Sequence, residues 1–511
     1  MNNHYEYLII GAGPAGLQMA YCMEQSGHSY LILERGSSAG TFFKKFPRHR
    51  KLISINKVYT GHDDAELNLR WDWNSLLSGD EKMLYKQYSK RFFPAADTMI
   101  DYLKGFAEHF QLKIKYDVEV SNISKKDQQF RVEDRDGNVY TCLRLIIATG
   151  LNRPFVPPIP GIELAENYTE VSVDPDEFTG QRVLIIGKGN SGFETADNIT
   201  ETTATIHLAS PHPLRLAWKS HHVGHLRAVN NNLLDTYLLK AQNGLLDAKI
   251  NSIERTNGKL TVSFSYQRAH GATVEYQYDR IIVCAGFRFD DSIFDESCRP
   301  ALVIDERFPD QTSEWESTTV KDLFFAGNLM QMRDFKKTAS AFIHGFRYNV
   351  RALYHILERK YHGKEWPSRS IAATPEAVLD AVLDRLNRSS ALWQQTGFIC
   401  DLVVVSTEDG EARYYEELPV DYVRESDFGQ QQHYYLVTLE YGPDYPDYPF
   451  DFVRFIGPDE GHLNPQLHPI IRRFNGSTLV AEHHIQEDLE GRWLTDNYIL
   501  PLRAFFQKQL A

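Results

Sequence analysis

Tyr7-Leu8-Ile9-Ile10-Gly11-Ala12-Gly13-Pro14-Ala15-Gly16 opens the chain, and Val183-Leu184-Ile185-Ile186-Gly187-Lys188-Gly189-Asn190-Ser191-Gly192 repeats its pattern 176 residues later. Each is a short apolar run, then glycines spaced Gly-x-Gly-x-x-Gly, then a helical pattern that extends through Glu24 and Asn198 respectively. The spacing has a physical reason. The first glycine permits a tight turn, the second lets the backbone approach a pyrophosphate, and the third lets helix and strand pack closely, while the helix N-terminus offers free N–H groups to phosphate. One such string also occurs where nothing binds. Two in the same strand–turn–helix setting predict two Rossmann-like dinucleotide-binding units and an α/β fold.

The units differ where a ribose would sit. In the first, strand Tyr30–Leu33 ends at Glu34, eighteen residues after Gly16, and a carboxylate there accepts hydrogen bonds from both ribose hydroxyls of an adenosine. In the second, the same spacing leads to Ser210. Without a carboxylate a 2′-phosphate is not repelled, and His212, Arg215 and Lys219 follow closely. This favours NADPH, held by Gly187, Gly189, Asn190, Ser191, Gly192, Ser210, His212, Arg215, Ala285 and Gly286. NADH stays open as the alternative donor, because no Arg directly follows Ser210.

Between and after the fingerprints, Leu145–Gly150, Ile281–Gly286 and Leu323–Gly327 are further strand-then-glycine segments, the last followed by a helix over Ala341–Lys360. Four prolines in Pro154–Pro160 read as a linker. Past Trp366-Pro367 the texture changes to one helix (Pro375–Gln394) and Tyr- and Pro-dense β sequence such as Tyr434–Tyr441 and Tyr445–Phe450. The expected organisation is a first domain over 1–165 and 287–364, an inserted NAD(P)H domain over 166–286, and a C-terminal α+β region over 365–511. At 511 residues the chain has room for three or four domains at roughly 150 residues each. A net charge of −13 repels phosphate backbones and anionic lipid, which argues against nucleic-acid and membrane partners. No apolar run approaches the roughly 20 residues of a membrane helix, and Met1–His4 has no basic n-region, so a cytoplasmic protein is expected. Five scattered cysteines (22, 142, 284, 298, 400) form no Cys-x-x-Cys pair and weigh against both a disulfide framework and a dithiol centre.

Longer strings carry a resemblance. They are Phe46-Pro47-Arg48-His49-Arg50-Lys51-Leu52-Ile53-Ser54-Ile55-Asn56-Lys57, Asp72-Trp73-Asn74-Ser75-Leu76-Leu77, Asn231-Asn232-Leu233-Leu234-Asp235-Thr236-Tyr237, Phe342-Ile343-His344-Gly345-Phe346-Arg347-Tyr348 and Ile499-Leu500-Pro501-Leu502-Arg503. With the two fingerprints, the chain resembles the flavin-containing monooxygenase superfamily. Within it, the chain is more closely similar to the FAD-dependent oxidoreductases typified by the endoplasmic-reticulum flavoprotein associated with degradation. The resemblance implies FAD on the first unit, with Gly11, Gly13, Pro14, Ala15 and Gly16 at the pyrophosphate and Glu34 at the ribose. Arg35 and Val120 join this set. Thr41 and Phe42 lie in a segment similar to the monooxygenases' Gly-Gly-x-Trp, Thr149-Gly150 and Gly327-Asn328 close the site, and a helix beginning at Ile343 points at the flavin. Asn56 would lie beside the flavin C4a position and hydrogen-bond a C4a-hydroperoxide.

The implied activity is NADPH reduction of flavin followed by oxygenation of a small molecule at N, S or an activated carbon, with O₂ as co-substrate. The rivals are an oxidase releasing peroxide, a disulfide reductase, and a binding or scaffold protein stabilised by flavin; a homodimer is permitted. Two departures stand out: Val171-Ser172 where monooxygenases have His-Ser, and Asn328 where many relatives have Asp. No metal site is expected. His221 and His225, at i and i+4, have no third ligand at zinc spacing, and Trp71-Asp72-Trp73 reads as aromatic core near the substrate side.

Overall fold

Tyr7, Leu8, Ile9 and Ile10 are buried in the strand His4–Ile10, which has parallel neighbours on both sides, Tyr30–Leu33 and Val139–Ile147. A strand covered on both faces is apolar at consecutive positions, which is why the run shows no alternation. The molecule is described here from a computed structural model covering residues 3–236, 242–406, 410–442 and 458–510. Tyr237 and the stretch Tyr445–Phe450 fall outside the described residues.

The first sheet runs Ile114–Lys115, Tyr30–Leu33, His4–Ile10, Val139–Ile147, then antiparallel Gln129–Asp134 and Val120–Lys126. Leu323–Phe325 adds a parallel strand beside Leu145–Ile147. The chain therefore leaves this sheet, builds the second nucleotide-binding unit, and returns, so that one unit is inserted in the other. The outgoing and returning strands, Arg153–Pro154 and Phe287–Arg288, pair with each other. The second sheet centres on Arg182–Ile186, with Thr205–Ser210 and Asn243–Thr256 to one side and Arg280–Val283 and Glu166–Asn167 to the other, all parallel. Lys259–Tyr266 and Ala272–Tyr278 extend it antiparallel.

The C-terminal region is α+β. Ser368–Ala372, Glu411–Pro419, Ile399–Val405, Tyr434–Glu440, His468–Asn475 and Thr478–His484 form an antiparallel sheet. Helices Pro375–Arg388 and Asp496–Gln509 bury Val378, Val382, Leu386, Leu502 and Phe506 in the same core as its strands. The single helix expected over Pro375–Gln394 is two. Ser389 (φ −56°, ψ 123°) leaves the helical region, and its Oγ accepts from the Leu392 N–H at 3.2 Å, capping a second helix, Ser390–Gln394. The serine hydroxyl competes with the helix for backbone groups and wins.

Two fully buried arginines weld these parts together. Arg347, on helix Ile343–His362, donates to the carbonyls of Leu69, Asp72 and Ser75 at 2.8–3.0 Å. Arg70, in that same segment, donates to the C-terminal region: Nε to Ser389 O (3.1 Å), Nη1 to Gly491 O (3.2 Å) and Nη2 to Leu386 O (2.7 Å). Its guanidinium also lies 4.7 Å from the Trp393 ring centre, and burial lowers its pKa to about 10. Replacing Arg70 by Met keeps much of the stem volume and strands three carbonyls. At ~1–3 kcal/mol per buried group left unpaired, the expected loss is about 3–9 kcal/mol of local stability. Hydrogen exchange of the amides in 386–394 should rise accordingly, and unchanged protection would show that these bonds do not hold the regions together.

Candidate functional site

Three helices with no side-chain cap point their N-termini at one cavity of about 440 Å³: Pro14–Gln25, Asn190–Ile199 and Ile343–His362. Pro14 and Ala15, Asn190 and Ser191, and Ile343 and His344 all line it. Uncapped N–H groups and the positive end of each helix dipole favour a ligand rich in negative charge.

The two fingerprints have the same local geometry. Gly11 (φ +106°) and Gly187 (φ +124°) adopt backbone angles that side chains disfavour. A Cβ on Gly16 would stand 2.0 Å from Gly11 O, and one on Gly192 2.6 Å from Gly187 O, so helix and turn touch through glycine alone. Gly13 and Gly189 are the opposite case. Nothing lies within 4 Å of where their Cβ would be, and both glycines begin a helix in extended conformation. The open lane in front of each is where a pyrophosphate fits.

The remaining residues expected to bind FAD fall as follows. The buried Glu34 accepts from the Ala12 N–H (2.7 Å) and the Gly36 N–H (2.8 Å), which pins its carboxylate at the mouth of the glycine turn. Arg35 is exposed beside it. Phe42, Thr149, Gly150, Gly327, Asn328 and Ile343 line the cavity, and the Thr41 hydroxyl donates to Ser38 O at 2.9 Å. Asn328 Oδ1 is buried with no hydrogen-bond partner, an acceptor left for a ligand. These residues fit a dinucleotide. Val120 is not in the cavity wall; it starts the strand that follows Val118, whose N–H donates to Glu34 O.

Asn56 lies outside the cavity wall. The wall at this stretch is Lys51–Ser54, whereas Asn56 is buried beside it, and its Nδ2 donates to Ser89 O (2.7 Å) and Arg91 O (3.3 Å). Both amide hydrogens go to the backbone of a segment more than thirty residues away, so the amide braces the loop. His221 and His225, from which no metal site was expected, do not share a helix. The short helix Ala217–Ser220 ends before them, His221 is left-handed (φ +51°), His221 Nδ1 bonds the Tyr441 hydroxyl and His225 Nδ1 bonds Ser220 Oγ.

On the second unit, Asn190 Nδ2 donates to His225 O (2.9 Å) and its Oδ1 accepts from the Arg227 N–H (3.0 Å), which ties the fingerprint helix to the loop over the cavity. Ser210 ends its strand with Oγ donating to His212 O, and the His212 and Arg215 side chains are exposed beyond it. Ala285 and Gly286 border a small separate hollow shared with Ser191 and Tyr168. The sequence reading missed Asp247, the cross-strand neighbour of Ser210, whose carboxylate pairs with Lys188 of the fingerprint.

It also missed four groups on the cavity wall. The His344 ring stacks between Trp73 (4.2 Å, 21°) and Phe342 (5.8 Å, 16°), with both nitrogens buried and unbonded. Burial holds this imidazole neutral, its pKa well below the usual range. Arg227 lies 4.9 Å over the Trp73 ring. Glu194, one turn into the fingerprint helix, faces the Tyr168 hydroxyl at 3.5 Å, and burial pushes its pKa up to about 7. All five cysteines are buried and none lines the cavity.

Residues 8–327 match the family model described as pyridine nucleotide-disulphide oxidoreductase. The chain is 36% identical to an FAD-dependent oxidoreductase domain-containing protein 2 of Mus musculus, over 99% of this chain and 84% of that one. Among solved structures, a flavin-containing monooxygenase from Stenotrophomonas maltophilia has a TM-score of 0.54 at 21% identity, covering 70% of this chain and 98% of its own. A bacillithiol disulfide reductase from Staphylococcus aureus has a TM-score of 0.53 at 18%, covering 71% and 100%. The shared fold thus hosts both chemistries and does not choose between them.

Glu194 gives a pH prediction. Its carboxyl binds a proton more tightly folded than unfolded, so its contribution to stability is present below about pH 4.5 and declines as pH rises toward 7. Glu194→Gln removes a titrating group and should flatten stability over that window relative to the parent protein. Parallel curves for the two proteins in chemical denaturation at pH 5, 6 and 7 would show that Glu194 titrates normally.

Proposed function

Because the chain belongs to the pyridine nucleotide-disulphide oxidoreductase family and is an FAD-dependent NAD(P)H oxidoreductase, we propose that it works as an NADPH-reduced monooxygenase acting on a small molecule held in the cavity. One observation supports this over thiol chemistry. The space where the two fingerprints meet is walled by Phe42, Phe43, Phe46, Trp73, Phe287 and Phe342, and no cysteine reaches it. A dithiol has no place to act there, whereas aromatic walls exclude water, which oxygen transfer needs if peroxide is not to be lost.

Bound FAD would supply two-electron acceptance from a reduced nicotinamide and delivery to O₂. The chain's own residues do the rest. The open lanes at Gly13 and Gly189 bring two pyrophosphates onto two helix N-termini, which aims both nucleotides into one cavity. The uncapped N-terminus at Phe342–Ile343 favours negative charge on any ring lying against it. Glu194, with its raised pKa, keeps a proton at the cavity wall near neutral pH, beside the Tyr168 hydroxyl, where it can be donated to an oxygen atom of the reacting groups. The preference for NADPH rests on Ser210 with His212 and Arg215 exposed beyond it, and a strong clamp is absent, so the expected preference is modest.

The test is an anaerobic mix with NADPH or NADH, followed by oxygen. NADPH should bleach the flavin faster than NADH, and Gly189→Ala, whose Cβ enters an open lane with no protein atom within 4 Å, should keep flavin while weakening NADPH binding at least tenfold, about 1.4 kcal/mol. With a substrate present, peroxide should fall well below the NADPH consumed. Peroxide equal to NADPH across a broad substrate screen would make the protein an oxidase, and a flavin that neither nucleotide reduces would remove the enzymatic reading.

A further inference from the structure

We propose that the part of the cavity beyond the flavin site takes a planar, carboxylate-bearing small molecule, its ring lying along the Trp73–His344–Phe342 stack and its carboxylate on Arg227. This rests on the reading of the cavity as the place where a small molecule meets the flavin, and it names the class of that molecule.

Arg227 sits in the loop over the cavity, its backbone N–H fixed on Asn190 Oδ1. Its guanidinium lies 4.9 Å above the Trp73 ring, and among the described residues no carboxylate pairs with it. A cation over an aromatic face is attracted by the ring's quadrupole, which orients the guanidinium but leaves its N–H donors for another acceptor. Burial lowers its pKa, and because a guanidinium stays protonated in proteins a charged donor faces an apolar space. Glu194, the carboxyl on the same cavity, is turned to Tyr168 and forms no ion pair with Arg227. Below the guanidinium the rings of Trp73, His344 and Phe342 are nearly parallel, at 21° and 16°. His344 is 1% exposed and lines the cavity, with a donor and an acceptor nitrogen that no protein atom satisfies. A buried imidazole with neither nitrogen bonded is costly unless a ligand completes it. A guanidinium with free forked donors matches a carboxylate in geometry as well as charge, and a flat ring matches the stack. Together these select a planar acid over a neutral or cationic ligand.

The other source of an anionic group is the nucleotide itself, through a phosphate, and the experiment separates the two. Calorimetry on the flavin-loaded protein, without NADPH, would compare phenylacetate with its neutral isostere phenylacetamide, and 2′-phospho-ADP-ribose with ADP-ribose. The parent protein should bind phenylacetate about tenfold more tightly than phenylacetamide. Arg227→Gln should bring that ratio near one and leave the 2′-phosphate ratio in place, Arg227→Lys should restore part of it, and Trp73→Leu should weaken both phenyl probes. No preference for phenylacetate in the parent, a preference that survives Arg227→Gln, or loss of the 2′-phosphate preference in its stead would each overturn the proposal. Because these ratios need no turnover, an enzyme that proves to be an oxidase would leave them standing, and their failure would leave the monooxygenase reading untouched.

Discussion

The guanidinium of Arg347 is the constraint on which the site depends. It reaches from the first turn of helix Ile343–His362 to three carbonyls of the segment 69–75, fixing that segment against the helix whose N-terminus faces the cavity. Trp73 is in that segment, and its stacking on His344 follows from the same register. Arg70 then carries the arrangement outward to the C-terminal region through Leu386, Ser389 and Gly491, and the ion pairs of Arg385 with Asp401 (3.0 Å) and Glu66 (2.6 Å) run alongside. Charged groups bonded to several carbonyls inside a protein are hard to displace, because any motion strands both the cation and its acceptors.

The nucleotide-binding frame was legible because its sequence signal is backbone geometry. Gly11, Gly16, Gly187 and Gly192 are required by close approaches that a Cβ would block, and such requirements show in local sequence whatever surrounds them. The return strand Leu323–Phe325 was legible as an apolar run before glycine. The bracing contacts of Asn56 were not legible because its partners, Ser89 and Arg91, are distant in the chain, and a motif cannot say which way an amide turns. Arg227 and His344 went unnoticed for a related reason. One is in a loop and the other in an ordinary amphipathic helix, and only the folded chain reveals that, among the described residues, His344 finds no polar partner and Arg227 no carboxylate. The break at Ser389 was readable as a serine cap followed three residues later by the N–H it accepts, but the apolar periodicity on either side concealed it.

Among the described residues, buried polar atoms without partners occur in several parts of the molecule, and those on the cavity wall are Asn328 Oδ1 and both His344 nitrogens. Burial raises the pKa of Glu194 on the same wall to about 7. Most buried polar groups elsewhere are paired, as at Glu34, Asp72 and Asp401. Local rules of good packing are relaxed at functional sites and enforced around them.

Arg70 holds the C-terminal region through main-chain carbonyls and the Trp393 ring, and that choice has a consequence for how the molecule can change over time. The arginine does not contact the side chains of Leu386 and Ser389; what constrains those is the core around Leu386 and the helix cap that Ser389 supplies. Gly491 is constrained in its own right, because its left-handed backbone (φ +64°) and the Trp393 ring 2.6 Å from a would-be Cβ leave no room for substitution. Insertions and deletions are another matter: one residue more or less near 389 would shift the carbonyls, release Arg70, and move Trp73 at the far end. The outer third of the protein is therefore held to a fixed length wherever it props up the pocket, a constraint separate from the one its core places on side chains.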